Sequence, residues 1–286
     1  MDPGGFWWIL WILWILVDSG GFYGFWWILW IPWILVDSGG FYGFWWILVD
    51  SGGSWWNLRL LIISFRVGSG TMATLVLALN LANLFQSSYY EKYLYHIRFC
   101  WWGAEENNLL GAHHHVEEPE TTTIESNRLK DYILVLNFYM LASSNYYFSI
   151  YQPAKLPSAT SSKVKNASDT ILQVLRNWFD KHDLPWDESE PILSDYVPFL
   201  FAGIPCAGTF SGTDTIKTSE RRDRYGRVLG HGYDGIAGVH FDSCYHQACD
   251  TIENINPFGY ETMVKSAAHV LETLARIFNL NLWLYE

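Results

Sequence analysis

The pattern of apolar positions divides the chain in two. Residues 1–56 are dominated by nearly unbroken apolar runs, Phe6 to Val17 and Phe22 to Val36, interrupted at Asp18 and Asp37 by Asp-Ser-Gly-Gly. From Ser69 the apolar positions recur with the helix and strand periods of an ordinary α/β protein. Gly68-Ser69-Gly70-Thr71 precedes Met72 to Phe85, whose Ala, Leu and Met content predicts a mostly buried helix capped by Ser or Thr. Tyr95 to Trp102 reads as a strand. A second helix is expected to start near Glu105 and to end or break at Pro119 and the following threonines. Tyr132 to Leu141 and Tyr147 to Tyr151 read as strands, and Ser168 to His182 has helical spacing through Ile171, Val174, Leu175, Trp178 and Phe179. Phe199 to Phe210 reads as a strand broken around Gly203-Ile204-Pro205, and Phe258 to Phe278 as the closing amphipathic helix.

Strands alternating with helices at this spacing predict a three-layer α/β/α fold with a mixed central sheet. Between the apolar repeat and Gly68 only Arg59 to Phe65 offers a strand, so the sheet is expected to lack its opening strands. The expected organisation is a low-complexity, Trp-rich tandem repeat over residues 1–56, which is not a globular domain, and an N-terminally truncated α/β/α domain over residues 57–286.

The repeat is nearly exact. Phe6 to Gly24 and Phe25 to Gly43 differ only where Leu13 is matched by Pro32, and a shortened third unit runs from Phe44 to Gly53. It supplies ten of the 17 Trp residues of the 286-residue chain. Its apolar runs are shorter than the roughly 20 residues a spanning helix needs. Met1-Asp2-Pro3 offers no basic segment of the kind that opens a signal peptide. Exposed, such a segment binds membranes or aggregates, so membrane association of residues 1–56 is the partner reading it supports. A net charge of −11 without clustered Lys or Arg argues against nucleic acid and anionic lipid surfaces. Four cysteines, Cys100, Cys206, Cys244 and Cys249, are too few for a stapled scaffold but allow one bridge.

The candidate chemistry lies at Trp102-Gly103-Ala104-Glu105-Glu106. A strand that ends in two adjacent acids delivers them to the carboxyl edge of a sheet, where open α/β folds build their sites. One acid would bind a metal and the other would take a proton from metal-bound water. The ordinary alternative is a solvated helix start, where acids are also favoured.

With Gly68-Ser69-Gly70-Thr71 and Trp102 to Glu106, further motifs stand in one order: Leu109-Leu110-Gly111, Leu136 to Ser143, Ser194-Asp195-Tyr196, Ala202 to Pro205, Ile216-Lys217-Thr218 and Tyr245 to Thr251. Over about residues 68–275 the chain resembles the zinc aminopeptidases related to vacuolar aminopeptidase Y and the secreted leucine aminopeptidases. The resemblance implies a hydrolase that removes amino-terminal residues from peptide substrates with two zinc ions. It implies Glu105 as general base, Glu106 and His246 as ligands to different zincs, and Tyr245 as donor to the developing oxyanion. It also implies a disulfide between Cys244 and Cys249, and a secreted or vacuolar location. The sequon Asn166-Ala167-Ser168 would be glycosylated only in a secreted protein.

The departures from the pattern bear on activity. No histidine precedes His96, Leu48 stands where the first zinc histidine is expected, Arg66 where the bridging aspartate is expected, and Tyr139 where an aspartate ligand is expected. Leu193 replaces a substrate-binding arginine. Only Glu106 and His246 remain of the expected zinc ligands, and His113-His114-His115 cannot substitute, because consecutive helical residues diverge. Three readings stay open: a zinc aminopeptidase by descent with weak activity, a non-catalytic pseudoenzyme or decayed gene product, and a membrane-associated interaction protein that acts through the repeat.

Overall fold

The computed structural model describes residues 35–37, 40–42, 45–49, 60–66, 68–121, 128–189 and 194–286. The first and second repeat units lie mostly outside these residues, and so does Leu193. In chain order come a short antiparallel hairpin, β1 (Leu35–Asp37) and β2 (Gly40–Tyr42), then β3 (Trp45–Val49) and β4 (Leu60–Arg66). Helix α1 (Gly68–Gln86), β5 (His96–Trp101), α2 (Leu110–Thr121), β6 (Tyr132–Tyr139) and β7 (Ser149–Tyr151) follow. The remainder is α3 (Ser162–Lys181), β8 (Asp187–Ser189), α4 (Val197–Phe201), β9 (Cys206–Phe210), α5 (Ser219–Leu229), α6 (Pro257–Ala275) and α7 (Leu280–Tyr285).

Seven strands form one mixed sheet in the order β3-β5-β4-β6-β9-β7-β8. The central four, β5, β4, β6 and β9, are mutually parallel, while β3 and β7 join antiparallel to β5 and β9. Every residue of β6, and every residue of β5 except Trp101, is buried. Alternate residues of a strand face opposite sides, so both faces of the sheet are covered and the α/β layering expected from the sequence is present. Helices α1 and α3 both pack on α6, whereas α2 packs with α4. Helix α1 is long and apolar enough to cross a membrane by length and composition alone. It presents Ala73, Thr74, Leu77, Ala78, Leu81 and Phe85 to the core.

The strand predicted over Arg59 to Phe65 is β4, the centre of the parallel ladder. A further strand, β3, comes from the third repeat unit, so sheet pairing crosses the boundary drawn at residue 56. Three expectations about local elements need correction. The run from Phe199 is not a broken strand at its start: Val197–Phe201 is a helical turn with Pro198 in its first turn, where the fixed φ of proline is suited. The chain reverses at Gly203, φ 84°, before β9. Helix α3 begins at Ser162, with the Ser161 hydroxyl accepting from Val164 N–H at 3.3 Å. The sequon therefore lies within a helix, and the buried Ser168 Oγ accepts from Cys206 N–H at 3.0 Å. Finally, α2 starts five residues beyond Glu105, although it ends at Thr121, among the threonines where its end is expected.

Candidate active site

Because β4, β5 and β6 are parallel, their carboxyl ends share one edge of the sheet. Arg66, the last residue of β4, is in register with Tyr139, the last residue of β6. Strand β5 stops at Trp101, and the loop that follows carries Glu105 and Glu106 at the same edge. That loop is not the first turn of a helix. Ala104, Asn108 and Leu109 hold left-handed backbone, with φ of 57°, 60° and 59°. For an alanine or a leucine this conformation costs about 1–2 kcal/mol, so surrounding contacts must impose it.

Those contacts are local. The Ala104 carbonyl accepts from Asn107 N–H at 3.1 Å and from Leu110 N–H at 3.2 Å, and the Glu105 carbonyl accepts from Leu109 N–H at 2.9 Å. Gly111 N–H donates to the Gly103 carbonyl at 3.2 Å. A Cβ on residue 111 would stand 2.6 Å from that same oxygen, so only glycine allows α2 to begin this close to the loop. At the root of the loop, the Trp102 indole N–H donates to His115 Nδ1 at 3.1 Å. His115 Nε2 stands 3.2 Å from the Tyr132 hydroxyl, which also accepts from Arg98 at 2.9 Å. Burial, reinforced by the Arg98 charge, lowers the His115 pKa to about 3. His115 is thus a neutral structural ring, while His113 and His114 are exposed.

Glu105 is buried, with 9% of its surface exposed. Glu106 is half exposed and meets His246: Oε1 and Nε2 are 2.7 Å apart. His246 reaches it from a loop with φ 57° at His246 itself, and the Tyr245 ring stacks on the imidazole at 3.9 Å between centroids. Cys244 and Cys249 are joined by a disulfide that closes this loop around the histidine. Buried Asp242 holds its base, accepting from Cys244 N–H at 3.0 Å and from the Asn254 amide at 2.8 Å. Asn256 N–H donates to the Ala142 carbonyl at 3.0 Å, tying the loop to the segment that follows β6.

Tyr139 is a core residue, 3% exposed and stacked on Phe210 with centroids 5.6 Å apart. Burial pushes its phenol pKa well up, so it supplies no anionic donor. Met140 beside it has φ 49°. Strained backbone therefore recurs at Ala104, Met140 and His246, all beside the candidate residues, which is where strain held by surrounding structure tends to concentrate.

Sequence reasoning gave two residues of this framework no role of their own. Lys217 is fully buried, donates from Nζ to the Asp234 carbonyl at 2.7 Å, and lies over the Tyr146 and Tyr225 rings. Burial, then the Arg221 charge, lowers its pKa to about 8. Asn145 works beside it, donating to the carbonyls of Ile236, Val239 and His240 and accepting from Ile236 N–H. Together they fix the segment that leads into Asp242. The available signal for Lys217 was its place in the Ile216-Lys217-Thr218 motif, whereas Asn145 stands in a turn-like stretch that gave none.

Among the described residues, no group of three or more His, Cys, Asp or Glu side chains is placed to hold a metal ion. Glu106 and His246 are the two donors brought together, and each is engaged with the other. A catalytic zinc takes three protein ligands and a water, so this donor set does not fit one zinc ion, still less a pair.

Residues 67–271 match the sequence model of Peptidase family M28. Leupeptin-inactivating enzyme 1 of Streptomyces exfoliatus is 32% identical over 211 residues, which is 72% of this chain and 40% of that protein. The probable leucine aminopeptidase 2 of Aspergillus oryzae is 34% identical over 209 residues, 73% of this chain and 38% of the relative. Among solved structures, a zinc aminopeptidase from Bacillus subtilis aligns with a TM-score of 0.54 at 18% identity, covering 79% of this chain and 48% of that one, a likeness of fold. The chain spans about two fifths of the length of these curated relatives.

Proposed function

The chain belongs to peptidase family M28, and from that premise we propose that it is a non-catalytic relative of the aminopeptidases, a peptide-binding protein without the zinc centre. The observation that carries this reading is the direct 2.7 Å contact between Glu106 and His246. A metal entering here must break that contact and then finds no third protein donor among the described residues, where the position of one expected ligand is the buried Tyr139. The remaining parts, Glu105 at the carboxyl edge and Tyr245 against His246, form a polar lining suited to a peptide amino terminus. The disulfide between Cys244 and Cys249 favours an oxidising location, secreted or vacuolar.

A second reading, a weak aminopeptidase, draws support from the buried Glu105 carboxylate beside strained Ala104, a placement suited to a general base. One set of measurements separates the two. After incubation with zinc and desalting, the full chain is expected to hold well under one zinc per molecule by mass spectrometry. It should hydrolyse an aminoacyl p-nitroanilide no faster than its Glu105→Gln variant, and should bind a free-amino peptide more tightly than the N-acetylated form. Two zinc ions per chain, with hydrolysis that Glu105→Gln abolishes, would establish the enzyme instead.

A further inference from the structure

The outer edge of β5 is filled by a strand from the repeat. In register, Trp45 pairs with Trp101, Trp46 with Cys100, Ile47 with Phe99, Leu48 with Arg98 and Val49 with Ile97, antiparallel. Four of the five residues of β3, Trp45-Trp46-Ile47-Leu48, occur twice more without change, as Trp7-Trp8-Ile9-Leu10 and Trp26-Trp27-Ile28-Leu29, with Trp11 and Trp30 where the docked strand has Val49. Strand pairing is built from backbone hydrogen bonds, and side-chain fit selects among registers. The three copies offer this edge the same backbone and, at four of the five paired positions, the same residue types. Each chain thus carries, besides the segment that fills this edge, two further segments of matching sequence.

We propose that the β5 edge is an exchangeable docking site for this strand, and that the spare copies of one chain occupy the edge of a second copy of the chain, giving strand-swapped oligomers. Unpaired sheet edges and exchangeable elements are the usual route to such swapping. The tether favouring the third copy is weak, because loop-closure cost grows only with the logarithm of loop length. The segment between Val49 and Leu60 therefore gives β3 a small advantage over strands tethered farther away or supplied in trans.

The register provides the test. Cys100 is a free, buried thiol directly across from Trp46, and cross-strand neighbours lie close to disulfide reach. In the full chain, Trp46→Cys is expected to link to Cys100 within one chain under mild oxidation. Trp27→Cys, the same position one unit earlier, is expected to link to Cys100 of another chain, identified by peptide mapping in a mixture of isotopically light and heavy protein. A full-length Ile9→Pro and Ile28→Pro double variant, which spoils both spare strands and leaves β3 intact, should sediment as single chains where the unaltered protein forms dimers and larger species. The proposal is overturned if Trp27→Cys gives no link or only links within a chain, if Trp46→Cys fails to link, or if the double proline variant associates as before.

Discussion

His115 shows how a single side chain governs the loop that carries the candidate acids. Its ring accepts from Trp102, the residue where the chain leaves β5, and it meets Tyr132 at the start of β6. Held near a pKa of 3 in the fold against an ordinary value of 6.5, it binds no proton in the native state where the unfolded chain already does. The contribution is fully present above about pH 6.5 and is lost as pH falls toward 3, by up to about 1.4 kcal/mol per pH unit. In urea unfolding between pH 7 and pH 4.5, the parent protein should lose stability more steeply than His115→Gln. The variant starts about 1–2 kcal/mol lower at pH 7 because it weakens a buried hydrogen-bond pair, and the gap should close toward pH 4.5. Parallel slopes would show that His115 does not set the acid limb. None of this was legible in the run His113-His114-His115, where the sequence excludes convergence on one ion but gives no sign of which ring faces inward. The placement of Glu105 and Glu106 was legible, because a strand followed by a glycine and acids puts them at the sheet edge whatever the loop does. The aromatic partner that buries Tyr139 comes from β9, distant in sequence, and no local pattern announces it.

At the level of elements, the periodic stretches were readable and the short apolar runs were not. Continuous burial in β6 and the helical spacing of α3 and α6 leave one interpretation each. Val197–Phe201 is five residues long and apolar throughout, so periodicity cannot separate a helical turn from a strand there, and Pro198 was the better guide. The start of α2 was misplaced because acids suggest a first turn, whereas three left-handed residues and the tight Gly111 contact postpone it. The loop bearing His246 is a different kind of element, with little apolar content and its shape set by Asp242, Asn254 and the disulfide. A cross-link closing so small a loop is worth about 2 kcal/mol on chain-entropy grounds. The paired Cys244→Ser and Cys249→Ser variant should therefore unfold about 2 kcal/mol more easily in denaturant. The Glu106 and His246 contact should loosen with it, read as a changed chemical shift of the His246 ring at constant pH. An unaltered ring environment would show that Asp242 and Asn254 suffice to hold the loop.

For the whole molecule, two opposing influences act on association. The chain carries a net charge of −11, so copies repel one another at low ionic strength, while the proposed strand exchange would rest on backbone pairing and apolar residues, which are indifferent to salt. Salt screens the first, with a screening length of about 8 Å at physiological ionic strength and about 3 Å at 1 M, and leaves the second or strengthens it. Association by strand exchange should therefore increase from 20 mM to 500 mM sodium chloride, measured by sedimentation velocity at fixed protein concentration. The Ile9→Pro and Ile28→Pro variant should remain monomeric across the same range. If association instead falls with salt, contacts between opposite charges on the folded surfaces hold the copies together. In that case, neutralising surface arginines such as Arg222 and Arg227, rather than breaking strands, should dissolve the assembly. The sign of the salt dependence thus separates a shared sheet edge from a charged interface.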